Sequence, residues 1–162
     1  MVIVGVDPGP VTHGAVIYDS VLRRVLWSDK AADWMSIMDE SEAHEVERAV
    51  IERPAAMGGL GTGKVGHMLD TAWEGGRMVA NFQLAGIPTQ ELTRRQVLRE
   101  LGVMSGTGSA DSRVRRACIA DHQTPGGPPA VGRKASPGPL FGVSSHAWQA
   151  LGAVLASLES QR

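Results

Sequence analysis

Asp7 ends a nearly continuous apolar run, VIVGVD (2–7), and the chain then turns at once through Pro8, Gly9 and Pro10. A carboxylate at the end of a buried strand is costly unless something pairs with it. The turn leaves it at the mouth of a sheet, where it can hydrogen-bond the turn itself or hold a cation. A second short buried run, AVIE (49–52), also ends in an acid, Glu52. Two carboxylates closing two inner strands repel unless positive charge lies between them. Glu52 could equally sit just past its strand and pair with Arg53. His146 and Gln149 open a last apolar stretch, and a spacing of three puts both on one helical face. Read singly, the imidazole caps or settles into the core and the amide is a solvated helix position.

The elements that must position these groups can be read in order. VIVGVD has the unbroken apolar pattern of a central strand. HGAVIYD (13–19) and VLRRVLWSD (21–29) follow so closely that the first three strands must be antiparallel hairpins. DWMSIMDESEAHEV (33–46) reads as a short acidic helix, and 49–52 as a fourth strand. A Gly-rich loop spans 54–64, and a helix follows over 65–85 with Val65, Leu69, Ala72, Gly76 and Val79 at helical spacing. Gly75 and Gly76 inside it imply close packing against the sheet or a second subunit, since each costs about 1 kcal/mol relative to Ala. PTQEL (88–92) gives a fifth strand and TRRQVLREL a short helix; GTGSAD (106–111) starts another that runs on through SRVRRACIADH. Residues 124–143, rich in Pro and Gly, read as a long loop, functional or disordered, and Ser144 or Ser145 caps the final helix. Trp27, Trp34, Trp73 and Trp148 are assigned to the core. The expected architecture is α/β: one domain over 1–162 with a mixed five-stranded sheet, three antiparallel strands and then parallel ones, flanked by helices.

Composition fits this. The 162 residues are 43% apolar and 20% charged, with no internal repeat. No run approaches the roughly 20 apolar residues of a membrane helix, and no signal peptide is evident. One cysteine, Cys118, excludes an internal disulfide, fits a reducing cytoplasm and reads as a small buried residue. The net charge of −1 hides an asymmetry: residues 1–85 carry 7 Lys/Arg against 12 Asp/Glu, and 86–162 carry 9 against 5. A basic C-terminal half on one face could grip phosphates locally. GGLGTGKV (58–65) nearly matches a nucleotide phosphate loop, but Val65 stands where the Mg²⁺-holding hydroxyl belongs, so no nucleotide is expected.

Five stretches, in order and over nearly the whole chain, resemble the RuvC family of Holliday junction resolvases: VIVGVDPG, AVIERPAAM, HMLDTAWEGGRMVANFQLAGIPTQELTRRQV, GTGSADSRVRRA and SSHAWQALGAVLASL. The resemblance, to a compact and diverged form of bacteriophage or bacterial type, implies an RNase H-like fold and a homodimeric, divalent-metal-dependent endonuclease that nicks four-way DNA junctions symmetrically. It implies catalytic metal ligands at Asp7, Glu52, His146 and Gln149, holding two Mg²⁺ or Mn²⁺ ions with Asp7 as the bridge, and water as nucleophile. It implies DNA contacts from Lys64, Arg94, Arg95, Arg113, Arg115 and Arg116, with Arg133 and Lys134 as further candidates, and backbone N–H groups at Gly108–Ala110 offered to a phosphate.

Two departures matter. The family has Asp where this chain has Gln149, and a neutral amide offers one carbonyl oxygen and no charge. Either the position carries an inactivating substitution, the reading the surrounding helix pattern favours, or the missing acid comes from elsewhere. On the first explanation, restoring Asp at 149 raises Mg²⁺-dependent cleavage strongly. The aromatic that follows the second acidic motif in many relatives is also absent; Arg53, Pro54, Ala55, Ala56 and Met57 stand there. Two rival functions remain: an RNase H-like nuclease acting on other branched DNA or on hybrids, and a protein that binds junctions without cutting.

Overall fold

The computed structural model describes residues 1–54 and 62–161, with the side chains of 62–64 excluded. Residues 55–61, Met57 among them, and the Lys64 side chain therefore lie outside the described residues. Five strands, β1 (Val2–Asp7), β2 (His13–Asp19), β3 (Arg24–Ala32), β4 (Arg48–Arg53) and β5 (Thr89–Thr93), form one sheet in the order β3-β2-β1-β4-β5. The first two pairings are antiparallel, and β1–β4 and β4–β5 are parallel. This is the mixed sheet the sequence predicts. β3 begins three residues later than expected, because the Asp19 carboxylate accepts from the amides of Val21 and Leu22 at 2.8 and 3.1 Å and holds that stretch as a turn.

Helix α1 (Trp34–Ala43) is capped by Asp33, which accepts from the Ser36 amide at 2.8 Å. α2 (Thr62–Leu84), α3 (Arg94–Glu100), α4 (Ala110–His122) and α5 (Ala147–Glu159) complete the helices. Two cores flank the sheet. On one face Val4, Val6, Ile17 and Ile51 pack with Ile37 of α1 and with Met78 and Phe82 of α2. On the other, Ile3, Val16 and Val50 meet α5, whose residues 147–157 are all buried, together with α3 and α4.

α5 lies directly on β1. A Cβ at Gly5 would stand 2.5 Å from the Ala150 carbonyl oxygen, and one at Gly14 would stand 2.5 Å from the His146 carbonyl carbon. Only glycine permits that approach, which brings the start of α5 over the end of β1.

Four expectations are corrected. α2 buries the side carrying Gly75, Met78 and Phe82, with Val79 of the predicted stripe packed at its edge, while Val65, Leu69, Ala72 and Gly76 face outward. Trp73 is 71% exposed and Trp34 lies at the surface, where Arg77 stacks on its ring; only Trp148 is fully a core residue, with Trp27 half-buried against the core. The N-cap of α5 is His146, with no side-chain cap bond, because its ring is engaged elsewhere and Ser145 has turned into the left-handed region at φ 47°. Residues 124–143 are not loop throughout: β6 (Gly132–Arg133) pairs with β7 (Ser136–Pro137), and buried Ala130 and Leu140 anchor the hairpin through an amide–carbonyl bond of 2.9 Å. Among the described residues no helix is long and apolar enough to cross a membrane.

Candidate metal and nucleic-acid site

Asp7 and Glu52 end adjacent parallel strands, and β5 delivers a third group beside them. Glu52 pairs in register with Leu92, and the chain passes through Thr93 directly into α3, whose first residue is Arg94. Thr93 fixes that junction with a capping box: its backbone N–H donates to Gln96 Oε1 at 2.8 Å, and its hydroxyl accepts from the Gln96 amide.

Arg94 is the hub. Its Nε donates to Glu52 Oε1 at 2.9 Å, its Nη2 lies 3.3 Å from Asp111 Oδ1, and its Nη1 donates to Gln149 Oε1. Asp7 is held from α5: His146 Nδ1 donates to Asp7 Oδ2 at 3.1 Å. The turn after Asp7 is tied back by the Gly9 amide, which donates to the buried His13 Nδ1 at 3.3 Å. Asp7, Arg94, Asp111 and His146 share the lining of an open cleft of about 370 Å³ with Pro8–Pro10, Lys30 and Thr71.

Burial sets the electrostatics. It pushes the Asp7 carboxyl above the usual range, and Arg94 and the His146 hydrogen bond pull it back. It pushes Glu52 up to about 8; Arg94 opposes this, while Asp7 and Asp111 add to it. Glu52 is 6% exposed, and its Oε2 is buried with no hydrogen-bond partner. An orphaned carboxylate oxygen inside a protein is costly, and a cation removes that cost.

The four predicted ligands therefore converge as two linked pairs, Asp7 with His146 and Glu52 with Gln149, the second bridged by Arg94. Among the described residues no three His, Cys, Asp or Glu side chains form a ready metal-binding group, and the Arg94 guanidinium stands between Glu52 and Asp111. The donor chemistry suits a hard divalent cation: carboxylate oxygens, one amide oxygen and one imidazole, with one oxygen unsatisfied. Sequence reasoning missed Asp111 and the central place of Arg94. Asp111 stands in the first turn of α4, where an acid ordinarily answers the helix dipole, and this masked its proximity to Glu52.

The remaining basic residues divide. Arg113 donates to the Met104 carbonyl at 2.6 Å and Arg116 to the Thr107 carbonyl, so both brace the GTGS turn. Arg115 stacks over Trp148, 5.5 Å from its ring centre, beside a second cleft that includes Asp111 and Gln149. Arg95, and Arg133 and Lys134 at the hairpin tip, are exposed. The first turn of α4, read as a phosphate contact, is capped by Ser109 and carries the negative charge of Asp111. Cys118 is buried in α4 and its thiol is pushed up to about 12, as an inert core residue requires.

No family model matches the chain, and no curated protein matches it by sequence. Solved structures do. The sheet order and its flanking helices define an RNase H-like fold. The chain is similar in fold to Thermus thermophilus RuvC in complex with Holliday junction substrate, at a TM-score of 0.66 and 17% identity, covering 100% of this chain and 95% of that one. It is likewise similar to a second Thermus thermophilus RuvC structure, at 0.60 and 18%, covering 100% and 96%.

Proposed function

We propose that this chain is a structure-selective endonuclease of the cytoplasm that nicks four-way DNA junctions. The observation that carries the reading is the pair of carboxylates, half-buried Asp7 and buried Glu52, on adjacent strand ends with Glu52 Oε2 unpartnered, on a fold similar along its whole length to junction-bound RuvC. Asp7, Glu52 and His146 would hold Mg²⁺ or Mn²⁺, with Gln149 as a weak neutral donor. Bound there, two such ions would supply an activated water and stabilisation of the leaving 3′-oxygen. His146 orients the Asp7 carboxylate, and Arg94 neutralises Glu52. The exposed Arg95, Arg115, Arg133 and Lys134 would contact phosphates, and Lys64 is proposed with them from its sequence position.

The nuclease would act as a two-fold dimer, because closed two-fold symmetry matches the symmetry of a junction. Val65, Leu69, Trp73, Ala80 and Leu84 lie on one side of α2; Leu69 is 60% and Leu84 86% exposed, and a Cβ at Gly76 would meet nothing within 4 Å. Such an apolar stripe on a helix is what a second copy buries.

One observation favours the rival reading, binding without cutting: Arg94 already supplies positive charge to Glu52 and Asp111, as a site that never takes metal would. Cleavage of a synthetic four-way junction, beside linear duplex and an RNA–DNA hybrid, separates the readings. Paired nicks confined to the junction, lost in Asp7→Asn, support the endonuclease. A tight junction complex that stays uncut in Mg²⁺ and in Mn²⁺ supports the binder.

A further inference from the structure

Gln149 leaves the site one acid short, and the fold brings another within reach. We propose that Asp111 is the carboxylate that completes a divalent-cation site with Asp7 and Glu52, and that the Arg94 guanidinium holds the place of that cation until it binds. This rests on the metal-nuclease reading above and deepens it.

Three oxygens from three elements converge on the one guanidinium: Glu52 Oε1 from β4, Asp111 Oδ1 from α4 and Gln149 Oε1 from α5. Oxygen donors converging on a single positive charge are what a hard cation also selects. Gln149 cannot replace a carboxylate there, since it brings a dipole and no charge. Asp111 can: it lines the same cleft as Asp7, and its charge acts on the carboxyls of both Asp7 and Glu52. Its side chain is 64% exposed, so it is free to turn.

The independent pointer is Glu52 Oε2. It lies on a side chain more than nine-tenths buried and has no partner, although Arg94 satisfies Oε1 of the same carboxylate. One guanidinium thus leaves the cluster incompletely compensated: it touches two carboxylates, acts on Asp7 only through space, and leaves one buried oxygen open. A divalent ion carries the charge and the coordination number that Arg94 lacks. A purely structural Asp111, answering the dipole of α4 and pinning Arg94, would influence melting temperature and leave metal affinity unchanged.

Mn²⁺ binding to the full chain, read by the electron paramagnetic resonance of the free ion and by calorimetry, tests this without reference to activity. Asp111→Asn is expected to weaken Mn²⁺ binding on the order of tenfold, because affinity follows the number of charged ligands. Adding Gln149→Asp to Asp111→Asn should restore it, a gain that a misfolded variant cannot show, whereas Gln149→Asp alone should add little. Arg94→Gln should tighten Mn²⁺ binding, since the ion no longer displaces a resident cation. If Asp111→Asn binds Mn²⁺ as the parent does while Asp7→Asn has lost it, the assignment of Asp111 fails and the metal site stands. If the parent does not bind Mn²⁺, or Asp7→Asn leaves binding intact, the metal-nuclease reading fails and the assignment falls with it.

Discussion

The two ends of the β1–β2 pair carry two polar clusters that obey opposite rules. At one end Tyr18, opposite Ile3, bonds His122 Nε2 at 2.8 Å, and His122 Nδ1 lies 2.9 Å from the Cys118 carbonyl. That carbonyl can only accept, so Nδ1 bears the proton and Nε2 accepts from the Tyr18 hydroxyl. Each ring nitrogen of the buried imidazole has a partner. At the other end Asp7, opposite Gly14, belongs to a cluster in which Glu52 keeps a buried oxygen open and one arginine serves two acids and an amide. The Tyr18–His122 cluster satisfies its bonds internally; the open cluster retains capacity for something from outside.

The predictions set these clusters against each other. The largest effect belongs to the open one: Asp7→Asn should lower junction cleavage on the order of a hundredfold or more while leaving the thermal melt close to that of the parent. Gly14→Ala should nearly match it by another route. Its methyl would enter the His146 backbone, shift the start of α5 and cost about 1–3 kcal/mol, so cleavage should fall together with stability in denaturant melts. Tyr18→Phe should separate the two ends. It leaves His122 Nε2 without its donor, costing about 1–3 kcal/mol in denaturant unfolding, and Mn²⁺ affinity should not change.

The smallest effect is the pH dependence of the closed cluster. Burial lowers the His122 pKa below 6.5 and raises Tyr18 to about 12. The unfolded chain therefore takes up a proton at His122 below pH 6.5 that the folded chain refuses, and stability falls with acidification from there. It also releases the Tyr18 proton above pH 10 while the folded chain holds it to about 12, so stability falls again as pH rises through that interval. His122→Gln should remove that group's share of the acid loss, read as the difference between variant and parent melts across pH 4–7, a window in which His13 also destabilises on acidification while the raised Glu52 and Asp7 carboxyls oppose it.

The sheet was legible because local signals decided it. β1 and β2 match the sequence reading to the residue, which rests on an unbroken apolar run and on a second segment too close to its neighbours for a helix crossover. α2 was legible as a helix but not in its facing, since 3.6-residue spacing reports that an apolar stripe exists and not what covers it. Of the site, the four positions from the family resemblance do converge. Arg94 and Asp111 were hidden because their roles depend on the register of β5 against β4 and on the placement of α4, contacts between residues 17 to 42 positions apart in the chain.

The central claim, that the open cluster makes this fold a junction-cutting nuclease, is tested most directly by incubating the parent chain and Asp7→Asn with an end-labelled four-way junction and a linear duplex in Mg²⁺. The account predicts paired, symmetric nicks in the junction, an intact duplex, and neither product from Asp7→Asn. Equal nicking of junction and duplex, or cutting that survives Asp7→Asn, would contradict it.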